Sequence, residues 1–372
     1  MEHETVSDCC ENPSAAPSCC CARPPNVCGS VSSPAGDIPQ VRTTWSAADR
    51  RGRVLCRVSN SFRMHYTVPP GLAAVGSPTA GSPVFVSANY KLSFDHLRTS
   101  LAGMDAWVLV LDTKGINVWC AAGKGTFGTQ ELVRRIASVK LGDVVSHRRV
   151  ILPQLGAPGV TAHGVKRASG FTVAYGPVYA RDIPAYLSAG CRASPEMRKT
   201  RFTLADRLVL TPMEVLPALR HYLWLAAVIL LVFGLCPQGI MFVPALRQGW
   251  LFLALGLAAI ATGSFLTPLL LPWVPFRSFA LKGWLMGVAG TGALQLSTSH
   301  SMLADPLILA SAYLFFPVLS SYLALNFTGC TTFTSKSGVK RELRLALPLY
   351  VAGIALSATA VVIYRLRQWG LG

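Results

Sequence analysis

The sequence predicts an α/β domain followed by an all-α transmembrane domain of five helices, and three observations carry that prediction. Only 14% of the 372 residues are charged and 51% are hydrophobic, whereas globular chains average about 25% charged residues. Between residues 61 and 195, short β-rich runs alternate with helix-like spacing, the pattern of a mixed α/β core. Beyond residue 220, five apolar stretches follow in succession, each near the ~20 residues that cross a bilayer as a helix.

Taken in order, residues 1–60 are rich in Pro, Ser, Ala and Cys without helical or strand periodicity, and are expected to form a disordered arm. Six of the eleven cysteines lie there: Cys9, Cys10, Cys19, Cys20, Cys21 and Cys28. Such clustering in a long chain argues against a disulfide framework. No continuous apolar run occupies residues 1–39, so no secretory signal is expected. Strands are predicted at Val84–Ser87, Trp107–Leu111, Ile116–Trp119, Val150–Leu152 and Phe171–Tyr175. Leu132, Val133, Ile136 and Val139 share one helix face, with Thr129 as its expected N-cap and Glu131 in the positive first turn.

Residues 196–220 read as a basic linker, and the spans are expected at about 222–243, 250–271, 279–299, 306–325 and 345–364. Asp305 and Pro306 form an N-cap and N1 pair for the fourth. Gly283 and Gly287 give the third a GxxxG spacing suited to close helix packing. Arg198, Lys199, Arg201, Arg207, Arg220, Arg277, Lys282, Lys336, Lys340, Arg341 and Arg344 fall on one side of the spans. Only Arg247, Arg365 and Arg367 fall on the other. The positive-inside rule then places the α/β domain in the cytoplasm, under an inner membrane that the chain crosses several times. Part of the +17 net charge is thereby explained as contact with an anionic bilayer. Nucleic acid is an unsuitable partner, because no basic stripe interleaved with aromatics occurs in the α/β domain.

The chemistry concentrates in Gly115–Thr126, between a strand and an amphipathic helix. Its Gly-Lys pair is not a phosphate loop: Val118 stands where that pattern needs Gly, and Gly125 where it needs Ser or Thr. Cys120 has two readings. It is a small buried hydrophobe, or a metal-binding or nucleophilic thiol. The second is favoured by the neighbouring Ala121, Ala122 and Gly123, by Lys124 and by the following helix N-terminus, all of which suit an anionic sulfur and a flat ligand. Leu152–Gly159, with Gln154, Gly156, Ala157 and Gly159, either ends a strand or brings backbone against a cofactor. The N-terminal cysteines could collect a soft cation, or simply belong to an unstructured arm. His163 either lines the site or is an ordinary hydrogen-bonded histidine.

Asn117-Val118-Trp119-Cys120-Ala121-Ala122-Gly123-Lys124 resembles the signature of the membrane-bound corrinoid protein of the microbial mercury-methylation pair. Gly176–Leu187, beginning Gly176-Pro177, resembles the corrinoid-binding domain of the corrinoid iron-sulfur proteins of the acetyl-CoA pathway. Asn326–Ser335 with Ser337-Gly338-Val339 is similar to the loop before the last membrane helix of the mercury family. The resemblance spans about residues 65–365. It implies a Rossmann-like domain holding a cobalamin in base-off form, with Cys120 as lower axial ligand of cobalt. Asn117, Val118, Trp119, Ala121, Ala122, Gly123 and Lys124 would form the cap beneath the corrin. It implies a corrinoid-dependent methyltransferase that passes a methyl group from cobalt to inorganic Hg(II), forming methylmercury. A thiolate trans to the methyl group would ease its departure as a carbanion equivalent.

Two motifs are missing from the chain. There is no Asp-x-His-x-x-Gly stretch to supply a histidine to cobalt, and no C-x2-C-x2-C run, so no iron-sulfur cluster is expected in this chain. The resemblance therefore implies a small ferredoxin-like partner with two 4Fe-4S clusters as reductant. It also implies a separate methyltransferase supplying methyl groups from methyltetrahydrofolate. Two other functions compete: a corrinoid methyl carrier in one-carbon metabolism, and a membrane transporter or sensor of soft metals. The transporter would need ionisable residues within its spans, where Lys282 stands nearly alone.

Overall fold

The computed structural model describes residues 26–298, 301–331 and 333–370, so Cys9, Cys10, Cys19, Cys20 and Cys21 lie outside the described residues. The chain divides into two units, residues 1–50 with 64–198 and residues 51–63 with 199–372.

The first unit runs β1 (Val27–Ser33), β2 (Gly36–Val41), α1 (Ala47–Val58, which crosses the division), and then, after α2 (Asn60–His65), β3 (Gly71–Val75), β4 (Val84–Ala88), α3 (Lys91–Ser100) and β5 (Ala106–Leu111). There follow α4 (Val118–Lys124), α5 (Thr129–Ser138), α6 (Leu141–Val144), β6 (Arg149–Leu152), α7 (Ala162–Ser169), β7 (Thr172–Tyr175) and α8 (Ile183–Ser188). The strands form one sheet in the order β1-β2-β3-β5-β4-β6-β7. β5, β4, β6 and β7 are mutually parallel, and β3 runs antiparallel to β5. Both faces are covered. Val86, Leu109 and Leu152 pack with Ala121, Leu132 and Val165 on one face; Phe85, Val108 and Ile151 pack with Phe94, Leu97 and Tyr186 on the other. Burial on both faces explains why β5 is an uninterrupted apolar run and why β4 is apolar but for Ser87.

Several expectations are corrected. Ile116–Trp119 is not a strand: a turn with Lys114 and Gly115 at positive φ ends the extended chain, and Val118 onward is helical. Thr129 is the first residue of α5 and Gly128 its N-cap; the Thr129 hydroxyl instead accepts the Thr161 amide at 2.8 Å. Leu132 and Ile136 are buried as their spacing predicted. The disordered arm does not extend to residue 60, since β1, β2 and α1 lie within it and Cys28 sits in β1.

β1 and β2 are held by strand pairing that reaches β3, and a buried charge cluster holds the residues after them. Asp49 receives Lys91 Nζ at 2.6 Å and an Arg98 guanidinium nitrogen at 2.7 Å, while Asp95 receives the same two side chains at 2.7 and 2.8 Å. Arg98 also donates to the Thr44 carbonyl at 2.9 Å. These bonds tie residues 42–49 to α3, and no compositional signal marks such a partnership. Burial opposes ionisation of Asp49, yet hydrogen bonds from Lys91 and Ser46 outweigh it and hold the carboxyl far below the usual range. Burial likewise acts to lower Lys91, and its bonds to Asp49 and Asp95 more than reverse that.

The second unit contains α9 (Leu204–Leu210), α10 (Pro212–Gly234), a short hairpin of β8 (Leu235–Cys236) and β9 (Gly239–Ile240), α11 (Phe242–Ile260), α12 (Thr267–Leu269), α13 (Phe279–Ser297), α14 (Pro306–Asn326) and α15 (Lys336–Gln368). A π turn, Ala261–Leu266, carries α11 into α12. Among the described residues, four helical segments are long and apolar enough to cross a membrane: Leu204–Gly234, Phe242–Leu269, Pro306–Gly329 and Ser337–Gln368. α13, which carries Lys282, is not one of them, so the structure supports several membrane helices without confirming five. α9 and α10 also occupy most of the expected 196–220 linker, and the first helix ends at the Cys236–Gly239 turn instead of near residue 243.

Close packing of α13 on α14 follows the GxxxG spacing. A Cβ at Gly283 would lie 2.8 Å from Ser321 Cα, and one at Gly287 2.7 Å from Pro317 Cα. Asp305 caps α14 through the Leu307 amide at 2.8 Å, with Pro306 in the first turn. Lys282 is buried and donates to the carbonyls of Leu271 and Val274 in the turn that follows α12.

Candidate corrinoid site

The candidate site is assembled at the carboxyl ends of the parallel strands. β4 and β6 are neighbours, yet the chain leaves them for opposite faces of the sheet, through α3 and α7. Open α/β sheets bind ligands at such a switch point.

Asn89, just after β4, organises the turn after β5: its Oδ1 accepts the amides of Thr113 and Gly115, each at 3.0 Å. Gly115 must be glycine, because it sits at φ 71° and a Cβ would lie 2.9 Å from the Thr67 methyl. Glu131 braces the same turn by accepting the Asp112 amide at 2.9 Å and is itself held by Arg135 at 2.7 Å. Burial would raise the Glu131 carboxyl, but these bonds bring it below its ordinary value. The chain then enters α4, where Asn117 Oδ1 accepts the Cys120 amide at 2.9 Å. Cys120 therefore stands in the first turn of a capped helix and not at a strand end, its side chain half-buried. Val118, Ala121 and Ala122 are buried beneath it, Trp119 is half-buried, and Gly123 and Lys124 are exposed. α4 ends at Gly125 in the left-handed conformation, φ 84°.

The turn after β6 closes against this helix. A Cβ at Gly156 would lie 2.5 Å from the Phe127 ring, and one at Gly159 would lie 2.9 Å from Ala122 Cα and overlap the Phe127 carbonyl oxygen. Gly156 and Gly159 thus permit Gln154–Gly159 to lie against α4, and Ala157 is half-buried between them. The Gly159→Ala substitution is expected to destabilise the first unit by about 1–3 kcal/mol; a chemical denaturation midpoint unchanged from wild type would contradict the close approach. Gly176 and Pro177 lie buried at the end of β7, where the Gly176 amide donates to Leu152 at 2.7 Å. Their described contacts are with the β6 segment and not with α4. His163 is exposed on α7.

Sequence reasoning missed Asn89, Thr126, Phe127 and the bracing role of Glu131. Asn89 could have been found as the polar residue ending an apolar parallel strand; Phe127 shows its importance only through the two glycines that it excludes from substitution.

A family model described as the CO dehydrogenase/acetyl-CoA synthase delta subunit matches residues 62–187. Relatives named acetyl-CoA decarbonylase/synthase complex subunit gamma are similar over about a third of this chain. The protein from Archaeoglobus fulgidus is 30% identical over 122 residues, and that from Methanopyrus kandleri 31% identical over 122, each match covering 32% of this chain and 26% of the relative. The corrinoid/iron-sulfur protein large subunit of Moorella thermoacetica is 28% identical over 120 residues, again 32% of this chain and 26% of the relative. The match thus spans about a quarter of each relative's length. The family-model match ends at residue 187, and four apolar helices of the second unit lie beyond it.

The residues present fit a corrinoid. Two buried polar atoms, Thr126 Oγ1 and Gln154 Oε1, have no hydrogen-bond partner, and such atoms are costly unless a ligand or water meets them. Both flank the α4 contact. Among the described residues no group of three or more His, Cys, Asp or Glu is placed to hold a metal ion.

Proposed function

We propose that this protein is a membrane-anchored corrinoid methyl-transfer protein in which Cys120 would hold the cobalt of the corrinoid. The observation that carries the proposal is the half-buried Cys120 on a capped helix, packed through Gly156 and Gly159 at the carboxyl edge of a parallel sheet. A bound cobalamin would supply a metal centre able to accept a methyl group and to release it. Asn117 fixes the first turn of α4 and so the direction of the sulfur. Ala121 and Ala122 back the helix with small side chains, keeping it close to the sheet. Gln154 and Thr126 are suited to receive the amide arms of the corrin, as are the backbone groups of the exposed Gly123 and Gly125.

The relatives' names support a methyl carrier in one-carbon chemistry. A second acceptor, Hg(II), is favoured by the octapeptide Asn117–Lys124 and by the apolar helices beyond the matched region. Cys120 would hold the cobalt through a soft sulfur, a ligand suited to metal chemistry with a soft electrophile. The reductant would be a ferredoxin-like protein with 4Fe-4S clusters and the methyl source a methyltetrahydrofolate-dependent methyltransferase, with the first unit in the cytoplasm.

The test is to load the purified full-length protein with methyl groups and offer it Hg(II) and, separately, a nickel-site acyl synthase. Methylmercury forming with loss of bound methyl supports the Hg(II) acceptor. Transfer to the synthase alone assigns the carrier role, and a protein that retains no cobalt after reconstitution with cobalamin overturns both.

A further inference from the structure

A recess between α14 and α15 points to a ligand that the methyl-transfer site does not use. It encloses about 250 Å³ and is lined by Val318 and Tyr322 of α14 and by Leu347, Tyr350, Val351 and Ile354 of α15, among others. The Tyr350 hydroxyl is turned inward to Ser321 at 2.7 Å, and Tyr322 packs edge-on to the Tyr350 ring. The recess therefore presents ring faces and methyl groups. Leu347, Val351 and Ile354 remain 52%, 61% and 46% exposed, as befits a surface that meets hydrocarbon.

The same face of α15 continues into charge. Lys340, Arg344, Leu347, Val351 and Ile354 follow one another at spacings of four, three, four and three residues, which keeps them on one stripe. Lys340 and Arg344 are exposed. α15 has 33 residues, roughly 50 Å at 1.5 Å per residue, against a hydrocarbon layer of about 30 Å. Its charged opening turns thus have room to stand at the headgroup level while Leu347 to Ile354 lie below. Arg344 is one turn above the recess, and a guanidinium binds phosphate with paired donors.

We propose that this groove binds one anionic phospholipid, with its phosphate held by Lys340 and Arg344 and an acyl chain lying in the recess. The proposal rests on the second unit residing in the bilayer but not on the corrinoid or on Cys120. Charge complementarity selects the occupant. A zwitterionic lipid would gain the acyl contact but less from two aligned cations, and a second copy of this chain would bring the same cations against themselves.

The experiment is native mass spectrometry of the full-length protein, purified in detergent and mixed with equal amounts of phosphatidylglycerol and phosphatidylcholine. The expected result is one retained phosphatidylglycerol, preferred roughly tenfold or more over phosphatidylcholine. The double variant Lys340→Gln with Arg344→Gln should reduce that preference to near unity. Val351→Trp, on the lipid-facing side of the recess, should lower retention of both lipids. Equal retention of the two lipids by the wild type would overturn the proposal. So would a preference unchanged in the double variant, or a dimer that Val351→Trp dissociates without altering lipid content.

Discussion

Replacing Cys120 by Ala is expected to lower methyl transfer by more than about a hundredfold, beyond the ~10–100-fold typical when only a supporting residue of a metal ligand is lost. The fold should survive, because Cys120 is half-buried and the α4 cap is made by its backbone amide with Asn117. Cys120→Ser separates ligation from packing: it preserves size but removes the soft sulfur, and should behave like Ala. The visible spectrum of the reconstituted protein checks the cause directly, since loss of a cobalt–sulfur bond alters the corrin absorption. Full activity in either variant, with circular dichroism unchanged, would remove Cys120 from the mechanism.

Arg98→Met is expected to cost the first unit about 3–5 kcal/mol, the usual consequence of deleting one partner from a buried ion pair. Arg98 is fully buried and contacts Asp49 and Asp95 together. Without it, Lys91 is the one cation of the cluster left to face two buried carboxylates, and the Thr44 carbonyl loses its donor. Urea titration followed by tryptophan fluorescence would measure the loss, and a change below about 1 kcal/mol would show that the cluster is dispensable. The wild-type cluster also has a pH signature. Asp49 is depressed in the folded state, so its stabilisation is fully present above the unfolded value near 4. It is lost progressively as pH falls from there toward the folded value. Asp49→Asn should flatten that part of the stability profile.

How far the sequence reveals each part depends on how local its cause is. β4, β5 and β6 are legible because burial on both faces demands mostly apolar runs. α5 shows its buried face through Leu132 and Ile136, and the membrane helices through length and the scarcity of charge. The pair Gly283 and Gly287 announces a close helix contact for the same reason: a missing side chain means something only if a neighbour fills the space. Residues 27–49 misled because β1 and β2 pair into the sheet through β3, and Asp49 is held by Lys91 and Arg98, more than 40 positions away. β-propensity misled at Ile116–Trp119, where Asn89 and the Asn117 cap impose a turn and a helix. Lys282 illustrates the same limit, since its partners are buried carbonyls of the turn after α12.

The sequence by itself determined the two-part organisation, the apolar helices and the thiol around which a function can be argued. Each follows from composition, periodicity or a contiguous motif, and these act over a few neighbouring residues. Only the tertiary structure decided that Cys120 stands on a helix, that Gly156 and Gly159 must be bare to let Phe127 and Ala122 approach, and that Thr126 and Gln154 keep buried polar atoms without partners. Those features arise where segments distant in the chain meet, and a contact between distant segments has no period for the sequence to display.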